Sequence, residues 1–215
     1  DSAASWVRTG PFTSVLAFAV DPANGEALVV ISSDQLWRST DGGSTWKRIG
    51  GGKTPLCVAS LAIDPKDPNT IWAAPSTCAV GTQGAYKSID GGGTWTPVRG
   101  LEQTLVNRIV PEPSNPGRVH AAAAATQEIL IASYDPSGAL TTATYFGRQA
   151  TARGFSVTSG GIYVAGFGEH PSTPGAFNEA TEFQFAAKIS AASPACTYRA
   201  AISGGGYPGV GERGG

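Results

Sequence analysis

An all-β chain is what the sequence predicts, and three observations predict it. Helical periodicity is almost absent: hardly any segment repeats apolar residues at a 3.6-residue spacing over ten positions. Short runs of β-branched and aromatic residues recur instead, among them VLAFAV (15–20), EALVVIS (26–32), VASLAI (58–63), EILIASY (128–134) and GIYVAGFG (161–168). Turn residues separate them, with 29 Gly and 15 Pro in 215 residues, while charged residues are only 14% against the usual value of about 25%. The best helical candidate, NEATEFQFAAKIS (178–190), also reads as a strand through Phe183, Phe185 and Ala187.

Taken in order, the runs fall into a repeat. FAVDPANGEALVV (18–30) is a strand, a turn opened by Asp-Pro, and a second strand. QLWRSTD (35–41) then leads into STDGGSTWKRI (39–49), a tight turn followed by Trp and a short strand. LAIDPKDPNTIWAA (61–74) restarts the unit, and SIDGGGTWTPV (88–98) closes it 49 residues after the first copy, counted from Asp41 to Asp90. IVPEPSNPGRVHAA (109–122) is a third start, with Pro113 on Pro65, Pro116 on Pro68 and Val119 on Ile71. Its hairpin, ASYDPSGAL (132–140), keeps Ser133, Asp135 and Gly138 but has lost Thr-Trp. A period of 40–50 residues with about four strands each is that of propeller blades. The expected fold is therefore a β-propeller of about four or five four-stranded antiparallel blades.

Ser-x-Asp-x-Gly-x-Thr-Trp resembles the Asp-box, or BNR repeat, of sialidases, sortilin-type receptors and xyloglucanases, over roughly the first half of the chain (1–125). The second half (126–215) resembles the SBBP repeat of large secreted bacterial proteins, carried by YDPSGALTTATYFG (134–147), GGIYVAGFGEHPSTPGAF (160–177) and FAAKIS (185–190). CTYRAAISGGG (196–206) looks like the opening strand of one more such unit. The two halves together form a single domain on this reading. The resemblance implies a structural role for Ser39, Asp41, Gly43, Thr45 and Trp46, and for Ser88, Asp90, Gly92, Thr94 and Trp95. The glycines permit positive φ, the carboxylates accept N–H groups exposed by the turn, and each Trp anchors the outer strand.

Catalytic residues would have to come from elsewhere, and no local pattern supplies them. A sialidase-like site needs an arginine triad, yet the Phe-Arg-Ile-Pro element is missing and NRIVPEP (107–113) only echoes it. Asp34, Glu102, Glu128, Glu169, Glu179 and Glu182 could furnish a glycosidase carboxylate pair, but nothing in the sequence couples any two. His120 and His170 are too far apart for a local metal motif, and His120, between Val and Ala in a strand, reads as packed. GGGKT (50–54) lacks the full phosphate-loop spacing. No catalytic residue, metal or cofactor is expected, and the chain is expected not to be an enzyme.

A net charge of −1 without a basic run argues against nucleic acid, and no apolar run approaches the roughly 20 residues of a membrane span. Cys57 and Cys78 flank neighbouring strands of one unit and are expected to form a disulfide in an oxidising compartment, the alternative being two buried thiols; Cys196 is left over. The absence of Met suggests a processed, secreted chain. The expected function is an extracellular structural subunit or a binding module for carbohydrate or protein. Its first expected partner is itself, through strand pairing at the chain ends, where SWVRTG (5–10) resembles TWKRIG (45–50). The alternative is a glycan hydrolase, sialidase- or xyloglucanase-like.

Overall fold

The computed structural model describes residues 8–32, 35–49, 58–75, 83–102, 104–124, 129–146, 148–159, 161–169, 185–189 and 196–201. They form four four-stranded antiparallel sheets, each a meander of strands consecutive in sequence. Sheet 1 holds β1 (Ala17–Val20), β2 (Leu28–Ser32), β3 (Gln35–Ser39) and β4 (Lys47–Ile49). Sheet 2 holds β5 (Val58–Ile63), β6 (Ile71–Pro75), β7 (Tyr86–Ser88) and β8 (Thr96–Pro97). Sheet 3 holds β9 (Leu105–Pro111), β10 (Val119–Ala124), β11 (Ile129–Tyr134) and β12 (Leu140–Phe146). Sheet 4 holds β13 (Arg148–Thr158), β14 (Gly161–Glu169), β15 (Phe185–Ile189) and β16 (Cys196–Ala201).

The sheets stack face to face, with three apolar layers between them. Ala17, Ala19, Val29, Ile31 and Leu36 of sheet 1 meet Leu61, Ile63, Ile71 and Ala73 of sheet 2. Trp72 and Ala74, on the other face of β6, meet Val119, Ala121 and Tyr134 of sheet 3. Ala122, Ile129 and Ile131 then meet Val157, Ile162 and Val164 of sheet 4. Alternate residues of one strand thus serve two layers, so IWAAP is buried along its whole length and shows no polar alternation. The chain stays in one stack because each sheet supplies half of the next layer.

One expectation changes at this level. The Cys196–Ala201 segment is no opening strand: it is the outermost strand of sheet 4, paired to β15 from Phe185↔Ala201 to Ile189↔Cys196. The division at residue 125 falls inside sheet 3, between β10 and β11, which pair over six positions. The 185–189 part of the ambiguous helical candidate is strand β15. Cys57 and Cys78 lie outside the described residues.

Candidate functional site

Two kinds of turn lie at one end of the stack. The first joins the first and second strands of a sheet. Asp21 N–H donates to Ala27 O, Asp64 N–H to Thr70 O and Glu112 N–H to Arg118 O, at 2.8–3.0 Å, so three turns close alike. In the first two, an aspartate caps the turn: Asp21 Oδ1 accepts from Ala23 N–H and Asp64 Oδ1 from Lys66 N–H, each at 2.8 Å.

The second kind carries the Asp-Gly-Gly hairpins. Asp41 Oδ1 accepts from Ser39 Oγ–H at 2.7 Å and Thr45 N–H at 2.9 Å, and Oδ2 from Thr45 Oγ1–H at 2.5 Å. Asp90 repeats this with Ser88 Oγ–H at 2.8 Å, Thr94 N–H at 2.9 Å and Thr94 Oγ1–H at 2.7 Å. The serine hydroxyls in turn accept Gly43 N–H and Gly92 N–H, both at 2.8 Å. Trp46 and Trp95 donate Nε1–H to the carbonyls of Gly43 and Gly92. The third hairpin closes differently: Asp135 Oδ1 accepts from Ser137 N–H and Oγ–H and from Ala139 N–H, with Ser137 standing in for the missing threonine.

These bonds hold both carboxylates in the charged form. Asp90 is lowered to about 2, chiefly by Thr94 N–H and then by the hydroxyls of Thr94 and Ser88; Asp41 is lowered to about 2, chiefly by the Thr45 hydroxyl. Unfolded, each would titrate near 3.8. Because the folded value is depressed, this stabilisation is complete above pH 4 and is lost as pH falls towards about 2. Asp90→Asn is expected to lower the melting temperature at pH 7 by roughly 2–4 °C and to flatten that acid step. Differential scanning calorimetry at pH 7 and pH 3 checks it; an unchanged melting temperature at pH 7 would refute it.

Sheet 3 carries a buried polar cluster in place of the aspartate cap. Glu112 occupies the position of Asp64, and His120 the position of Trp72. His120 Nε2 lies 3.2 Å from Glu112 Oε2, and Nδ1 lies 2.8 Å from Ser133 Oγ. A carboxylate only accepts, so the imidazole proton sits on Nε2 and the Ser133 hydroxyl donates to Nδ1. Glu112 Oε1 accepts from Ser114 Oγ–H, and Arg118 stands 3.7 Å from Oε2. Burial pushes the His120 pKa down, against the opposing pull of Glu112. The acid-base-hydroxyl set is sealed in the stack: Glu112, His120 and Ser133 are all buried. His120 is packed, as its place between Val and Ala in a strand predicts, and no local motif marks Glu112 as its partner. The signal was the joint exchange of Asp for Glu and of Trp for His at two positions of one repeat.

Beside these turns the inner strands open into a cavity of about 530 Å³. Ala19, Val20, Pro22 and Ala23 of the first unit line it, with Leu61, Ala62 and Pro65 of the second. Ile109, Val110, Pro111 and Pro113 of the third complete the wall, with Val157 from β13. Among the described residues every lining side chain is apolar, so the cavity can hold an apolar ligand face. Among the described residues, no group of three or more His, Cys, Asp or Glu gathers where a metal ion could sit. Among them, too, no helix is long and apolar enough to cross a membrane.

The chain matches no protein-family model and no curated protein. Solved structures do resemble it. A GH74 enzyme from Niastella koreensis aligns over 90% of this chain and 31% of its own, at 19% identity and a TM-score of 0.61. The GH74 xyloglucanase from Xanthomonas campestris aligns over 86% and 30%, at 17% identity and 0.60. The Cps50 (Swd1) β-propeller domain of Myceliophteria thermophila aligns over 91% and 56%, at 12% identity and 0.58. The chain thus spans under a third of the length of these hydrolases and has the β-propeller fold. The expectation that it is not an enzyme is corrected here. It rested on missing local motifs, whereas the first structures it resembles are GH74 enzymes, aligned at 19% and 17% identity over part of their length.

Proposed function

We propose that the chain is a set of blades from an extracellular, glycan-active propeller. The observation that supports this reading most is the resemblance of about nine-tenths of the chain to GH74 enzymes. The hairpins that resemble Asp-boxes act as staples at one end of the blades, fixing the turns around the mouth. That mouth offers apolar surface without charge, suited to the apolar face of a sugar ring, while acid and base groups come from other parts of the ring. A rigid rim lowers the entropy lost on binding.

Electrophoresis through gels containing xyloglucan tests it, followed by an assay for released reducing ends. Retarded migration is expected, together with weakened retardation in Ala23→Arg, which sets a long cation at the rim of the mouth. Unchanged mobility across a panel of β-glucans, with no reducing ends released, would overturn the proposal.

A further inference from the structure

Sheet 1 has two faces, and only one is fully covered. Ala17, Ala19, Val29 and Ile31 are buried against sheet 2, whereas Phe18 and Val20, pointing the other way from β1, are 67% and 44% exposed. The repeat supplies a reference for these two positions. FAVDP (18–22) aligns with LAIDP (61–65), and Phe18 pairs with Val30 just as Leu61 pairs with Ala73. Leu61 and Ile63 are only 7% and 1% exposed, because sheet 1 lies on them. Phe18 and Val20 are therefore one half of an inter-sheet layer, built like the others.

The segment ahead of β1 says what the other half is. At Gly92, an added Cβ would stand 2.8 Å from Cδ1 of Ile49, the last residue of β4. At Gly43 the same position faces Thr9 Cβ at 3.5 Å. Trp46 Nε1–H also donates to Thr9 O, and the Phe12 ring meets Trp46 edge-on at 4.9 Å. Thr9 thus stands on the first hairpin where Ile49 stands on the second, and WVRTG (6–10) is spelled like WKRIG (46–50). The 8–12 segment holds the place of an outermost strand, belonging to a sheet ahead of sheet 1.

Neither the last sheet of this chain nor that of a second copy fits that place, because sheet 4 already carries its own fourth strand, β16, paired to β15 from Phe185↔Ala201 to Ile189↔Cys196. The reference for a covering face is the one sheet 1 lays on sheet 2, which presents Ala17, Ala19, Val29 and Ile31.

We propose that Phe18 and Val20 dock a further four-stranded blade with an alanine- and valine-rich face, whose outermost strand is the Arg8–Phe12 segment. Val20 also lines the cavity, whereas Phe18 lies outside its lining, so a footprint at Phe18 can fail without bearing on the glycan reading.

Carbene footprinting of Phe18, read by mass spectrometry, tests it on two proteins. One is the chain itself, across a concentration series with its mass followed by light scattering. The other is the chain extended ahead of Arg8 by a second copy of its own residues 58–96, which brings three strands and the hairpin and leaves the outermost place to the Arg8–Phe12 segment. Heavy labelling of Phe18 is expected in the chain at every concentration, with several-fold protection in the extended form. Phe18→Lys should leave the melting temperature of the chain unchanged and lower that of the extended form. Protection in the monomeric chain would mean that sheet 4 covers the face, and protection that rises with dimer mass would mean a second copy; either overturns the proposal. So does an extended form in which Phe18 stays labelled, whether the added blade fails to fold or fails to dock.

Discussion

Gly92→Ala is expected to destabilise the protein by about 3 kcal/mol, combining backbone strain with overpacking. Gly92 has φ of +97°, in the left-handed region, and its absent side chain leaves room for the neighbouring sheet. A Cβ there would stand 2.8 Å from both Ile49 Cδ1 and Leu36 Cδ2, closer than real contacts allow. Both neighbours belong to the layer between sheets 1 and 2, so neither yields without disturbing it. Gly42 separates the two causes. Its φ is +66° and nothing lies within 4 Å of the added carbon, so Gly42→Ala meets strain alone, about 1 kcal/mol. Urea unfolding of the two variants, compared at equal m-value, measures the difference. Equal losses would show that the hairpin does not press on the adjacent sheet.

Glu112→Ala is expected to cost about 2 kcal/mol, by leaving the buried Nε2–H of His120 without an acceptor. Ser114→Ala, which removes a donor to Oε1 near the surface, should cost far less. The same cluster sets a pH dependence whose sign follows from burial. His120 takes up a proton near 6.5 when unfolded and resists it when folded. Below pH 6.5 the unfolded chain therefore binds more protons, and stability falls as pH falls. Neutral His120 contributes fully above that value. His120→Gln should remove the slope that sets in below pH 6.5 while leaving the loss below pH 4 that belongs to Asp41 and Asp90. A slope that survives in His120→Gln would assign the effect to another group.

The staples were legible in sequence because they are local. Ser39, Asp41, Gly43 and Thr45 lie within seven positions, and their bonds span at most four residues. Repeat spacing likewise made the sheets legible, since each strand pairs with the next one along. The cavity was not legible: Val20, Leu61, Ile109 and Val157 meet only when four units stack, and none differs in kind from a core residue. Glu112 and His120 are joined across a seven-residue turn, and their pairing shows only when the unit is compared with its neighbours. The non-enzymatic expectation failed for a related reason. Lack of a local motif says little about residues that meet only when the units stack, as those of the cavity do.

The meander order of every sheet also bears on how the chain reaches this state. Each hydrogen-bonded ladder joins strands adjacent in sequence, so the loops to be closed are short and their entropy cost is small. Low contact order of this kind favours fast folding for an all-β protein. A single sheet, however, exposes the face that its successor will cover, as Trp72 and Ala74 of β6 would be before sheet 3 arrives. Growth of the structure then resembles zipping in one dimension, with each unit stabilised by the one beside it. During synthesis, this order lets sheet 1 form before sheet 2 and act as the template on which sheet 2 condenses, with the sticky face travelling along the nascent chain one blade at a time.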